Sequence, residues 1–318
     1  MSAPHRLIRL TILILLVLFW SRTAPAAPRV VVSIKPLHGL AAGVMAGVGQ
    51  PDLLLGSGGS PHGHSLRPSQ ALMLRQAQVV FWVGPGLEEF LVKPLDHLAG
   101  QAQVVALAGV PGVTAVREED SNHHGGEGKN HHGEGEDEEE EGHHHHSGDP
   151  HVWLDPVNAQ AMVTAMATTL SAVDPANAAR YRDNGTRLDQ RLADLTARLQ
   201  ARLAPIRKRP FVVFHDAYGY FTRRFGLDRG LALTLSPEHK PSAQRLMTVR
   251  QRILADGIHC VFAEPQFKPD LLAAVTRDLP VHQGILDEVG ATLAPGEEAY
   301  FSLLENLAAA LLACPAGQ

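Results

Sequence analysis

Two α/β lobes with mostly parallel sheets, joined by one long rigid helix, are the fold class that this 318-residue sequence predicts. Three observations predict it. Short β-branched runs alternate with helical stretches in both halves of the chain, the pattern of a parallel sheet covered on both faces. Between the halves, Pro175 to about Lys208 holds only one glycine, Gly185, with Leu, Ala, Arg and Asp at helical spacing, as in "RLDQRLADLTARLQARL". With an N-terminal leader set aside, the remaining ~290 residues suit about two domains.

The leader is residues 1–26. His5, Arg6 and Arg9 precede the apolar run "LTILILLVLFW" (10–20), and "APAA" (24–27) supplies small residues. This is the layout of a secretory signal peptide, with cleavage after Ala26. The run is shorter than the roughly 20 residues a membrane-spanning helix needs, so a retained anchor is the lesser alternative. An exported mature chain follows.

The N-terminal lobe spans 27–172. "RVVVSIK" (29–35) reads as a strand and "PLHGLAAGVMAG" (36–47) as a helix. Next come a helix over 68–77, a strand over 78–84, an amphipathic helix over 86–99 and a strand over 102–108. Glu88 and Glu89 read as a solvated face of that helix. The connector, 173–208, reads as a helix of about 30 residues, roughly 45 Å long at 1.5 Å per residue; a coiled-coil segment is the alternative. The C-terminal lobe, 209–318, repeats the pattern with strands near 210–214, 230–235, 259–263 and 281–285.

One segment breaks this pattern. Residues 118–149 carry twelve Asp and Glu against one Lys, a net −11 against −5 for the whole chain. Removing that loop and the three leader arginines leaves the body at about +3, so the acidity belongs to one insertion. It holds His123, His124, His131, His132, His143, His144, His145 and His146 among glycines and glutamates. So few apolar residues cannot offset the entropy of ordering, which predicts a disordered loop whose histidines and acids can bind metal ions weakly, or a plain spacer. No basic patch alternates with aromatics, which argues against a nucleic-acid partner. Cys260 and Cys314, an even pair in an exported chain, read as a disulfide; two separate buried thiols are the alternative.

Three histidines outside the loop sit in notable contexts: His62 in "SPHGHSLRPS", His151 in "DPHVWLDP" and His215 in "FHDAYGYF". Strand ends open on the crevice where α/β sheets bind ligands, and three imidazoles from two lobes suit Zn²⁺ with a fourth place open. Taken singly, each is more often a packing residue, as His38, His97, His239, His259 and His282 are read to be.

Those three motifs in that order, with "VFAEPQF" (261–267), "SIKPLHGLAAGVMAGVG" (33–49) and "FWVGPGLEEFL" (81–91), resemble the zinc-binding solute receptors of bacterial ABC importers. The resemblance covers essentially the whole mature chain. It implies two lobes joined by one long helix, with a metal held in the interlobe cleft by His62, His151 and His215. It also implies a counterpart for the Cys260–Cys314 pair, and a monomeric receptor handing Zn²⁺ to an inner-membrane permease. The family's Asp-Tyr pair after the first ligand is here Gly63-His64, so His64 is a second-ranked ligand. Asp287 stands where manganese-binding relatives supply a carboxylate, and Asp155 and Glu264 are candidates for orienting ligands. A manganese or iron receptor of the same fold is one alternative. A secreted zinc hydrolase is another, although no H-E-x-x-H appears and only Asp216 adjoins a histidine as a possible base.

Overall fold

The computed structural model describes residues 26–56, 59–115, 148–234, 237, 240–268 and 270–315. The leader up to residue 25 and the histidines from His123 to His146 lie outside the described residues. Among the described residues no helix is long and apolar enough to cross a membrane.

The chain forms two four-stranded sheets, parallel throughout. The first holds β1 (Val30–Val32), β2 (Asp52–Leu53), β3 (Val79–Trp82) and β4 (Gln103–Ala106), in the order β2-β1-β3-β4. The second holds β5 (Val212–His215), β6 (Leu231–Thr234), β7 (Cys260–Ala263) and β8 (His282–Ile285), in the equivalent order β6-β5-β7-β8. Each order reverses beside its first strand, so the carboxyl ends of β1 and β5 open on the crevice. The two-residue β2 is too short to leave a pattern in the sequence.

Side chains alternate across each sheet with the strand period of two. Val30 and Val32 face a core shared with the other lobe, whereas Val31 packs outward with Leu54, Leu74, Val80 and Leu95. In the second sheet Val213 faces the shared core, while Val212 and Phe214 join Leu233, Val249 and Val261 on the far side. The shared core therefore runs without interruption from β1 to β5 and β7.

What carries it across is the connector. Helix α4 (Pro156–Val173) turns back as α5 (Ala178–Leu203), whose buried Tyr181, Gly185, Leu188, Leu192, Leu195, Leu199 and Leu203 repeat every three or four residues. Each such leucine contributes about 1.5–3 kcal/mol relative to exposure. Gly185, costly inside a helix, is explained by the approach of α4: a Cβ there would stand 3.1 Å from the Ala167 Cβ. The α-helical part has 26 residues, somewhat fewer than the sequence suggests, because 3₁₀ turns containing Pro175 and Pro205 replace its two ends. Proline donates no hydrogen bond and so stops the regular ladder.

The remaining helices are α1 (Lys35–Val44), α2 (Pro68–Gln76), α3 (Val92–Leu98), α6 (Gly219–Phe225), α7 (Ala243–Ala255), α8 (Asp270–Thr276) and α9 (Glu298–Ala313). Helix α9 returns from the second lobe to the first. Its approach to α1 is close enough that a Cβ on Gly39 would lie 3.0 Å from the Tyr300 backbone nitrogen. Arg191 bridges α5 to Glu297 and Glu298. The Cys260–Cys314 disulfide ties β7 to the end of α9. Closing that loop of 54 residues stabilises by about 4 kcal/mol in the chain-entropy account.

One expected element differs. The helix over 86–99 begins only at Val92, after a turn and a short 3₁₀ segment, Glu89–Leu91. Glu88 is no solvated face: it is fully buried, and its carboxylate accepts from the Val83 and Gly84 backbone N–H groups at 3.3 and 2.9 Å. Those amides end β3 with no strand partner, and folding Glu88 back satisfies them.

Candidate metal centre

His62, His151 and His215 meet between the lobes. His62 lies in the segment after β2, and its N–H donates to Ser60 Oγ. His151 precedes the 3₁₀ turn Val152–Leu154 that leads into α4, and His215 is the last residue of β5. The Nε2 atoms of His62 and His151 are 3.2 Å apart, and those of His151 and His215 are 3.3 Å apart. Nitrogens bound at about 2.0–2.1 Å to one tetrahedral zinc would be roughly 3.3 Å apart. The spacing is that of three ligands around one ion.

The other ring edges explain why the Nε2 atoms face one another. His151 Nδ1 lies 2.7 Å from Asp149 Oδ1, and His215 Nδ1 lies 2.6 Å from Glu264 Oε2. With Nδ1–H given to a carboxylate, a neutral ring presents its lone pair at Nε2. Two such lone pairs opposed at 3.3 Å favour a cation between them. Burial, then the neighbouring His151 and His215, push the His62 pKa down to about 3, and burial also lowers that of His215. The neutral, metal-ready form of these rings is the favoured one.

Carboxylates crowd behind the cluster. Glu264 follows β7, accepts from the His215 backbone N–H and from Tyr218 OH at 3.3 Å each, and is pushed up to about 8 by burial. Glu288 is likewise raised to about 8, by burial and then by Glu264. Lobe-to-lobe bonds surround them: Trp153 Nε1 donates to the Glu288 carbonyl at 2.7 Å, and Lys35 Nζ donates to the Gly290 carbonyl at 3.0 Å.

Not every expected residue joins the cluster. His64 Nε2 bonds Gln70 Oε1 at 3.0 Å and its ring meets Phe90, so it stands apart from the three. The chain bends through residues 61–63, so His64 does not share the face of His62 as an offset of two along an extended segment would have it. Asp287 accepts from Gln266 Nε2 and is absent from the metal-competent groups of the described residues. Asp155 orients no histidine: it caps α4 through the Val157 N–H and pairs with Arg224 of α6 at 2.6 and 2.7 Å. Glu264 does orient a histidine. Asp149 and Glu288 were not anticipated. The Asp-x-His spacing is the signal for Asp149, whose side chain also takes the His151 backbone N–H at 2.9 Å, an Asx-type turn.

Two parallel-sheet lobes bridged by a long helix, with an imidazole cluster between them, form the architecture of the two-lobed metal receptors. The chain belongs to the ZnuA family, described as zinc-uptake complex component A, periplasmic, which matches residues 30–314. It is 42% identical over 303 residues to the high-affinity zinc uptake system protein ZnuA of Brucella abortus, covering 90% of this chain and 91% of that one. Identity to the protein of the same name from Paracoccus denitrificans is 44% over 298 residues, with 90% and 91% covered. Among solved structures, a crystal structure of ZnuA superposes with a TM-score of 0.75 at 23% identity, covering 91% of this chain and all of that one. The periplasmic zinc binding protein TroA of Treponema pallidum gives 0.74 at 21%, covering 90% and 98%.

Proposed function

We propose that this chain is a periplasmic zinc receptor, which captures Zn²⁺ between its lobes through His62, His151 and His215 and hands it to an ABC-type permease in the inner membrane. Zinc is cargo here. The observation that carries the reading is the convergence of three Nε2 atoms at 3.2–3.3 Å, two of them with the opposite ring edge fixed by a carboxylate. Imidazole donors favour zinc over manganese, which suits carboxylate sites. Glu264 and Asp149 orient their rings; neither touches the cargo.

The receptor acts as a monomer that does no covalent chemistry. Asp216, the one carboxylate next to a cluster histidine in the sequence, is held by Arg229 at 2.7 Å. Residues 1–26 direct export, 27–172 and 209–318 form the lobes, and 173–208 joins them. The histidine-rich insertion gathers zinc weakly beside the cleft.

The test is growth of zinc-limited cells that lack their own receptor but keep its permease. The wild-type chain restores growth under chelation and His215→Ala does not. Equal rescue by both, at matched expression, contradicts the reading.

A further inference from the structure

Glu264 lies on the Nδ1 edge of His215, opposite the edge that meets His151, and Glu288 lies close to both. One ring nitrogen of His215 and one oxygen from each of Glu264 and Glu288 fall within 4.8 Å of one another. All three side chains are buried, Glu264 at 3% and Glu288 at 2% exposure. Glu288 Oε1 takes a long bond of 3.3 Å from Gln266 Nε2, and Glu288 Oε2 has no partner at all. Neither acid has a Lys or Arg ion-pair partner among the described residues. The Glu288 Oε2 acceptor, buried without a donor, is costly, and Glu264 and Glu288 repel each other when both are ionised. A positive ion between them removes both costs.

We infer that Glu264 and Glu288 hold a second divalent cation beside His215, adjacent to the three-histidine cluster. Its donors are carboxylate oxygens, a set that suits harder ions such as Mn²⁺. The two positions are coupled. An ion on Glu264 draws on the same carboxylate that orients His215 and places a second positive charge nearby. Filling the oxygen position therefore weakens zinc at the histidines, and zinc weakens the second ion equally. This goes beyond zinc capture: it gives the cleft a sensor for competing metal.

The experiment uses crystals of the full chain grown with Zn²⁺ and soaked in manganese chloride, with anomalous data collected at both absorption edges. The expected result is zinc at His62, His151 and His215 and manganese between Glu264 and Glu288. In Glu288→Gln crystals the manganese peak disappears. In solution, Mn²⁺ titration followed by electron paramagnetic resonance should show one ion weakened at least about tenfold in that variant, the scale of a lost carboxylate. Metal at the histidines alone, with a water or a shared proton between the two acids, overturns this inference and leaves the receptor reading standing. Metal at neither position overturns both.

Discussion

The two lobes have equivalent strand orders but supply the cluster differently. The first lobe gives His62 and His151 from connecting segments; the second gives His215 from the end of β5, a strand flanked by β6 and β7. His215 is fully buried, and its carboxylate partner, Glu264, sits at the mouth of the adjacent strand. His62 is half-buried with no carboxylate on its ring among the described contacts, and the partner of His151 comes from a turn. A ligand in mid-sheet cannot shift without the sheet, whereas one on a loop can. On the proposed reading, the second lobe would provide a fixed post and the first would provide ligands free to adapt to the ion.

The sharpest way to break this contrast is to remove one ligand from each lobe. His215→Ala should weaken zinc binding more than about a hundredfold, beyond the 10–100-fold typical of lost orienting partners. His62→Ala should cost less, since water can reach its place; competitive titration with a chelator measures both. Equal losses would erase the distinction between post and adapter.

Next in size are the two orienting acids. Glu264→Gln and Asp149→Asn should each reduce zinc affinity about 10–100-fold. The loss should be larger for Glu264, whose side chain is 1% exposed against 17% for Asp149. A greater loss at Asp149 would place the rigid half of the site in the first lobe.

The smallest effect lies away from the metal. Burial raises the Glu88 pKa from 4.5 to about 7, so the folded state holds a proton that the unfolded state releases. This stabilisation is complete below pH 4.5 and is lost as pH rises through 7, amounting to roughly 2 kcal/mol between pH 5 and 7. Melting curves of the zinc-free protein over that range should flatten for Glu88→Gln. An unchanged slope would mean that Glu88 titrates as an ordinary surface acid.

Much of this was legible before any coordinates. The strand and helix alternation placed seven of the eight strands found among the described residues, and only the two-residue β2 left no pattern. His62, His151 and His215 stood out by motif, and Glu264 as a nearby candidate in "FAEPQF". The misses share a cause: a carboxylate beside other carboxylates looks solvated. Asp149 closes the acid-rich insertion, Glu288 adjoins Asp287, and Glu88 adjoins Glu89. In each case one acid of the set turns inward, and only the fold decides which. Asp155 erred the other way, since the Asp-Pro that looks poised to orient a histidine is the N-cap of α4.

The central claim is that three imidazoles from two lobes form the tightest zinc site of the chain. Zinc titration of the full chain against the triple variant His62→Ala, His151→Ala, His215→Ala tests it most directly. The account predicts that the highest-affinity class vanishes while the weaker sites of the histidine-rich insertion persist. A triple variant that keeps the tightest class, at one ion per chain, would contradict it.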